Sequence, residues 1–308
     1  MFLEVGGIVD TFALLELALH EIEDGIKDSL TAARLAQIVP LSASHLQRLF
    51  RLAFEKPLAG YVRSRKLAAS LEDLLRTDLR IIDIAQEYGF EHERTYIRAF
   101  KREYGITPGE ARVSGDIVKI LPPLRLLEKN RMGDGLFFGP EFVVIPTTHI
   151  VGRRHKVPYA ESLEMAPRVA KEFWLNDRES IESRKGDDVY IGLTRTPREM
   201  SDYSHYLPSV PVVGKGGDVP DGLYADTIPA GMYIKFHYVG QHHYFDLNMD
   251  VMNDMYEAIY DYSESGKIGG VIDAAGSIHF ERIDEADAGD NICKLEWFAP
   301  VPEIISER

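Results

Sequence analysis

A duplicated helical unit constrains this chain more than any other feature. The stretch LRIIDIAQEYGFEHERTYIRAFKREYGITPGEAR (79–112) reads as a short helix, a turn at Gly89, and a longer helix from about Glu91 to Tyr104. Gly105 and Pro108 close it, because a left-handed position favours glycine and proline cannot continue a helix. Two short amphipathic helices across a tight, glycine-containing turn form the helix-turn-helix pattern. TAARLAQIVPLSASHLQRLF (31–50) repeats it: Ala36-Gln37 aligns with Ala85-Gln86, and Arg48-Leu49-Phe50 aligns with Arg98-Ala99-Phe100. The offset drifts from 49 to 50, which places one extra residue in the second turn.

The flanking residues supply helices to hold these units. Asp10 or Thr11 can cap a first helix whose Leu14, Leu17, Ala18, Ile22 and Ile26 follow the helical period. Thr31 and Ser42 cap the next two. In the second of these, Leu46, Leu49, Phe50 and Ala53 share one face, leaving Ser44, Gln47, Arg48 and Arg51 on the other. A long helix from Tyr61 to Arg76 follows, with Leu67, Leu71, Leu74 and Leu75 expected inward. At 1.5 Å per residue it spans roughly 24 Å, enough to hold the two units about one DNA turn (~34 Å) apart.

The net charge of −14 looks wrong for a nucleic-acid binder until its distribution is counted. Residues 1–112 carry 15 Lys/Arg and 17 Asp/Glu (−2), so the remaining 20 and 32 give residues 113–308 a charge of −12. Within the first part the bases cluster at Arg48, Arg51, Lys56, Arg63, Arg65 and Lys66, and again at Arg94, Arg98, Lys101 and Arg102. A basic stripe can meet phosphates on an acidic chain because screening confines fields to roughly 8–10 Å. Weak non-specific DNA affinity is the expected consequence. The 308 residues exceed what one core usually serves, so two domains are expected. No apolar run is long enough to span a membrane, Met1–Asp10 lacks the basic start of a signal peptide, and Cys293 stands alone, all compatible with a cytoplasmic protein.

Residues 10–112 resemble the DNA-binding domain of AraC/XylS-type transcription regulators, through LSASHLQRLF (41–50), YVRSRKLA (61–68), IAQEYGF (84–90) and RAFKREYGITP (98–108). Pro40 in the first turn and Glu55 after the first recognition helix depart from the glycines usual there. The resemblance implies seven helices, with those near 42–54 and 91–104 entering successive major grooves of double-stranded promoter DNA. It implies that Ser44, Gln47 and Arg48 face the first groove, and Glu93, Arg94, Thr95 and Arg98 the second. Arg can be bidentate to guanine, Gln to adenine, and Glu can accept from cytosine. Arg51, Arg63, Lys101 and Arg102 fit phosphate contacts that set register. Arg98 has a structural alternative, a pair with Glu87 or Glu91.

From Val113 to about Gly139, SGD, LPPL and NRMGDG read as a linker, giving expected boundaries of 1–114, 115–139 and 140–308. Beyond it the pattern is α+β and duplicated. A strand (142–154), a helix (166–175, with Pro167 in its first turn) and a strand (189–195) lead into a loop rich in Pro, Gly and Tyr. A second strand (226–239), a helix (245–263, ended by Gly266) and strands near 277–283 and 291–299 follow. This half resembles the GyrI-like effector-binding domain, through FVVIPTTHIVGRRH (142–155), IPAGMYIKFHYVG (228–240) and KLEWFAPV (294–301). The resemblance implies two βαββ repeats around a cleft. The two domains in this order resemble the arrangement of Rob-type regulators.

Strand alternation then nominates cleft residues. With Val189, Ile191 and Leu193 toward the helix, Tyr190 faces the cleft; with Met232, Ile234 and Phe236 in the core, Tyr233 does; Glu296 and Phe298 share a face. The resemblance implies a carboxylate at Glu296 that meets cationic, aromatic ligands, and Trp174 is either core or cleft. Ordinary packing for the tyrosines and a solvent-facing Glu296 are the alternatives. His237, His242, His243 and Asp246 match no zinc spacing, so no metal or cofactor is expected. No nucleophile elbow, P-loop or dinucleotide fingerprint occurs; Gly214–Gly217 lacks the strand–helix context it would need. The expected function is a non-enzymatic, DNA-binding transcription regulator controlled by a small aromatic or cationic ligand, with RNA polymerase as a partner. The rivals are a small-molecule hydrolase, a protein-interaction module, or a purely structural second domain.

Overall fold

The computed structural model describes residues 10–28, 30–114, 121–186, 189–199, 201–214, 219–247, 249–263, 276–285 and 291–301. The chain divides into two compact units, one from Asp10 to Leu127 and one from Glu128 onward.

The first unit is helical: α1 (Thr11–Asp24), α2 (Ala32–Ile38), α3 (Ala43–Phe54), α4 (Leu58–Arg76), α5 (Ile81–Glu87), α6 (Glu93–Tyr104) and α7 (Pro108–Ser114). Side-chain oxygens of Asp10, Thr31 and Ser42 accept from the backbone N–H three residues on, at 3.1, 3.2 and 3.2 Å, satisfying donors that open each helix. Four residues (39–42) separate α2 from α3 and five (88–92) separate α5 from α6, the extra one accommodated at Gly89 with φ +71°. Gly105 ends α6 with φ +80°, and Glu55 takes the equivalent left-handed position after α3 with φ 54°. Thr107 and Glu110 close a reciprocal capping box at the start of α7: the Thr107 N–H donates to Glu110 at 2.6 Å, and the Glu110 N–H to the Thr107 hydroxyl at 3.2 Å.

Helix α4 is the shared spine. It begins three residues earlier than periodicity implies and packs Leu67, Leu71 and Leu74 against Ile84, Tyr88, Tyr96 and Phe100 of the second helix-turn-helix. Leu75, expected inward, is 49% exposed; it lies just past the edge of the apolar stripe that Leu67, Leu71 and Leu74 define. Arg65 and Lys66, counted in the basic stripe, are buried instead. Arg65 clasps Glu23 through two bonds of 2.8 and 2.7 Å and donates to the Leu121 carbonyl at 2.6 Å. Lys66 donates to the Asp28 carbonyl at 2.7 Å, and burial lowers its pKa.

The second unit is built on a ten-stranded sheet of order β1-β2-β8-β10-β9-β5-β6-β3-β7, with β4 beside β6. The strands are β1 (Arg131–Met132), β2 (Gly135–Ile145), β3 (Thr148–Gly152), β4 (His155–Pro158), β5 (Val189–Arg195), β6 (Tyr203–Pro211), β7 (Tyr224–Ile228), β8 (Gly231–Gly240), β9 (Ile278–Asp284) and β10 (Cys293–Pro300). Helix α8 (Ser162–Asn176) follows β4 and α9 (Met249–Tyr262) follows β8. One repeat contributes β3, α8, β5 and β6; the other contributes β8, α9, β9 and β10. They meet where β5 pairs antiparallel with β9. Strand β2 precedes β3 but pairs with β8, whereas β7 precedes β8 but pairs with β3, so each repeat lends a strand to the other's edge. Both helices pack on one sheet face: Phe173 and Trp174 of α8 and Val251, Met255 and Ile259 of α9 join Ile234, Phe236, Leu295 and Trp297 in one core. Ile191, Leu193, Tyr233, Phe280 and Phe298 form a separate cluster.

Several element boundaries depart from the expected ones. Strand β2 starts at Gly135, inside the stretch whose composition suggests a linker. The expected strand 142–154 breaks at Pro146, and the expected strand 226–239 breaks at Pro229, each becoming two strands of the sheet. The Pro- and Tyr-rich stretch after β5 contains β6, whose Pro208 and Pro211 carbonyls accept from Arg153 and Lys185 N–H at 3.1 and 2.8 Å. Helix α8 starts before Pro167 by five residues, so that proline lies inside it and leaves one carbonyl of the preceding turn without its helical donor. Gly266 lies outside the described residues.

Candidate functional site

In the helical unit, α3 and α6 each bury one stripe and expose another. Leu46, Leu49 and Phe50 of α3 are buried, whereas Ser44, Gln47 and Arg51 are exposed and Arg48 is half-buried. In α6, Tyr96, Ala99 and Phe100 are buried, leaving Arg94, Thr95, Arg98, Lys101 and Arg102 exposed and Glu93 half-buried. The alternative of an Arg98–Glu87 pair is not realised: Glu87 takes Lys27 at 2.5 Å, and Arg98 forms no ion pair among the described residues. Each recognition-like helix therefore presents donors along its open side while its partner helix anchors the other.

In the sheet unit, a cavity of about 610 Å³ lies between α8, α9 and the sheet, lined by residues of both helices and of β5, β6, β9 and β10. Its walls are largely aromatic and thioether: Trp174, Tyr190, Tyr206, Tyr244, Phe245 and Tyr256, with Met249 and Met252. Trp174 donates through Nε1 to Glu285 at 2.9 Å, and its ring stands edge-on to Tyr190 with centroids 6.0 Å apart. Tyr244 donates to the same Glu285 carboxylate. The Arg178 guanidinium lies 4.0 Å over the Trp174 ring. These contacts fix one end of the wall.

One carboxylate lies among these rings. Tyr206 donates to Glu281 at 2.5 Å, which leaves Tyr190 to donate to Tyr206, also at 2.5 Å. Burial pushes the Glu281 carboxyl up to about 7 although the Tyr206 bond opposes the shift. Burial, with the Glu281 charge beside it, also holds both phenols well above their ordinary 10. Gly192 makes the arrangement possible. It is paired with Glu281 across β5–β9, and a Cβ there would fall 2.0 Å from the carboxylate and 2.6 Å from the Tyr206 hydroxyl. Glycine inside a strand often marks such a close approach.

Of the residues nominated from sequence, Trp174 and Tyr190 line this cavity, and Tyr233, Glu296 and Phe298 do not. Tyr233 donates to the Pro229 carbonyl at 2.8 Å and packs edge-on to Phe280, and Phe298 stacks on Phe280 at 4.7 Å. Glu296 lies between Lys294 at 3.0 Å, Arg282 at 2.8 Å and Lys235 at 3.9 Å. Burial would raise its pKa, but Lys294 and Arg282 outweigh that and lower it. Alternation identifies which residues share a face and not which face the helices cover, and a one-residue offset exchanges the two. Tyr190 faces the helices instead of facing away from them. Glu281, the cavity carboxylate, was available in IHFERID (278–284), where His279, Glu281 and Ile283 alternate with Ile278, Phe280 and Arg282.

The histidines considered for metal are engaged otherwise: His242 bonds Tyr238 at 3.1 Å, His243 accepts from the Phe245 N–H at 3.2 Å, and His237 stacks on Phe138 at 5.0 Å. Among the described residues, no helix is long and apolar enough to cross a membrane.

Comparison with known proteins agrees with both halves. Residues 35–114 match the helix-turn-helix domain family, and residues 139–301 match the GyrI-like small molecule binding domain family. The chain is 30% identical to the transcriptional regulator Rob of Salmonella typhimurium, over 68% of this chain and 77% of that protein. It is 27% identical to the right origin-binding protein of Escherichia coli, again over 68% and 77%. The multiple antibiotic resistance protein MarA of Salmonella typhimurium is 31% identical over 30% of this chain and 73% of its own length. With a double helix-turn-helix unit ahead of a cavity-bearing domain of two βαββ repeats, the chain belongs to the AraC-type transcription regulators that carry a GyrI-like small-molecule binding domain.

Proposed function

We propose that this regulator senses a single-charged, aromatic cation, with Glu281 as its counter-charge, and converts occupancy of the cavity into a change in transcription. The observation that carries this reading is a carboxylate that accepts from Tyr206, itself bonded to Tyr190, inside an aromatic cavity large enough for a drug-sized ligand. In such surroundings a lipophilic cation gains charge pairing and ring contacts that a neutral ligand lacks. Arg168 and Lys171 also line the cavity, and they disfavour a second positive charge distant from Glu281.

On the DNA side, Ser44, Gln47 and Arg48 read one major groove, and Glu93, Arg94, Thr95 and Arg98 the next. Arg51, Lys101 and Arg102 hold phosphates. RNA polymerase is the partner through which promoter binding becomes output, and the protein works in the cytoplasm beside the DNA. The cavity is a sensor and not a catalytic site; incubation with a bound cation should return that cation unchanged by mass spectrometry, whereas accumulating product would make it a hydrolase. The direct test of sensing is calorimetry with tetraphenylphosphonium: the wild-type chain should bind it, and Glu281→Gln should weaken binding at least tenfold. Equal affinity in both proteins would remove Glu281 from the reading.

A further inference from the structure

The cavity holds a second polar point that charge pairing leaves unused. His279 stands two residues before Glu281 on β9, so both side chains project to the cavity face about 7 Å apart along the strand. The ring is buried and rests against Trp297 with centroids 5.4 Å apart. Its Nδ1 is sealed without a hydrogen-bond partner among the described residues. Its neighbours across the sheet are Thr194 on β5, which also lines the cavity, and then Tyr206 on β6. The Tyr206 hydroxyl is already committed to Glu281 and Tyr190.

Burial pushes the imidazole down to about 4, so near neutral pH it carries one N–H and one bare nitrogen. A sealed N–H without an acceptor is rarer in proteins than a sealed acceptor without a donor. Assigning the bare lone pair to the sealed Nδ1 places the proton on Nε2, which is not among the sealed, unpartnered atoms of this cavity-lining residue. A ring kept here for packing alone would be better replaced by an apolar one, since an unanswered polar group in the interior costs stability.

We propose that His279 is a second recognition point of the cavity, donating from Nε2 to a carbonyl, ester or ether oxygen that the ligand carries about 7 Å from its positive centre. The proposal rests on the reading of Glu281 as the counter-charge and narrows the ligand class to aromatic cations with an acceptor at that spacing.

Two probes separate the terms: a triphenylphosphonium bearing an ethyl butanoate chain, and its heptyl analogue, of equal chain length but without the acceptor. Calorimetry with the full chain should find the wild type binding the ester several-fold more tightly. His279→Phe keeps an aromatic ring against Trp297 and should weaken ester binding about five- to tenfold while leaving heptyl binding within twofold. His279→Gln, which restores a donor, should recover most of that loss. Equal changes for both probes in His279→Phe would make His279 a packing residue and overturn the proposal. A wild type with no preference for the ester would overturn it without any variant. Glu281→Gln should weaken both probes alike; if it weakens neither, the counter-charge reading fails, and the ester-to-heptyl ratio in wild type and His279→Phe still decides the role of His279.

Discussion

The affinity of the cavity for a cation should rise with pH across neutrality, by an amount set by one side chain. With its carboxyl near 7, Glu281 is about one-tenth ionised at pH 6 and nine-tenths ionised at pH 8. A cation that pairs with the ionised form should therefore bind roughly tenfold more tightly at pH 8 than at pH 6, and should displace about half a proton at pH 7. His279, pushed down to about 4 by burial, and Tyr190 and Tyr206, pushed well above 10, keep their charge state throughout this window. The same group affects the ligand-free fold. The native state holds the Glu281 proton to about pH 7, whereas the unfolded chain releases it near the ordinary 4.5. Between these values the native state carries the extra proton, so stability is greatest below 4.5 and falls as pH rises through 7. The full shift corresponds to about 3 kcal/mol, and cavity water screens part of it, leaving about 1–3 kcal/mol. Calorimetric titrations with tetraphenylphosphonium at pH 6, 7 and 8, in buffers of different ionisation enthalpy, measure both affinity and proton release. Glu281→Gln should flatten the profile. An affinity that is constant from pH 6 to 8, or a slope that survives in Glu281→Gln, would refute the assignment.

Gly192→Ala should disable the same site from beneath, because its new methyl would occupy space 2.0 Å from the Glu281 carboxylate; binding measured by calorimetry should be lost, with a destabilisation of about 1–3 kcal/mol in denaturant titration. Arg98→Ala should cost about 1–3 kcal/mol of operator binding and relax preference at one base position, read by gel shift against a substituted operator series. Arg63→Ala, which tests a proposed phosphate contact, should weaken all sequences evenly and shallow the salt dependence. Arg65→Ala should leave Glu23 with the Tyr61 hydroxyl but no counter-charge, strip the Leu121 carbonyl of its Arg65 donor, and destabilise the helical unit by about 2–3 kcal/mol, seen as an earlier unfolding step in urea.

The helical unit was legible in the sequence almost residue by residue. Its caps, its glycine turns and the extra residue of the second turn are local features, and local chemistry decides them. The burial of Arg65 and Lys66 is not legible, because a basic run in sequence says nothing of which members have a carboxylate or carbonyl waiting elsewhere in the chain. In the sheet unit the repeats were readable but the strand breaks at Pro146 and Pro229 were not, since a proline between two runs of apolar residues ends a strand only where the sheet turns. Strand β6 was hidden by its own prolines, which the fold tolerates by using their carbonyls. Which face of a strand the helices cover is not legible from alternation: Tyr190 reaches the cavity on the helix-covered face of β5, and Glu281 lies on β9, a strand from which alternation nominates no cleft residue. The glycine at 192, opposite a glutamate in a neighbouring strand, marks the close approach, but its meaning depends on a register between repeats separated by about ninety residues.

The two halves are joined functionally only if occupancy of the cavity alters output at a promoter. A ligand can do this only through different affinities for two states of the protein. The most direct measurement is run-off transcription from a template carrying an operator selected with this protein, with and without saturating tetraphenylphosphonium, for wild type and Glu281→Gln. The expected result is a change in transcript level with wild type that Glu281→Gln loses at the same cation concentration. A transcript level indifferent to the cation, while calorimetry finds the wild-type cavity filled, would contradict ligand control of this regulator.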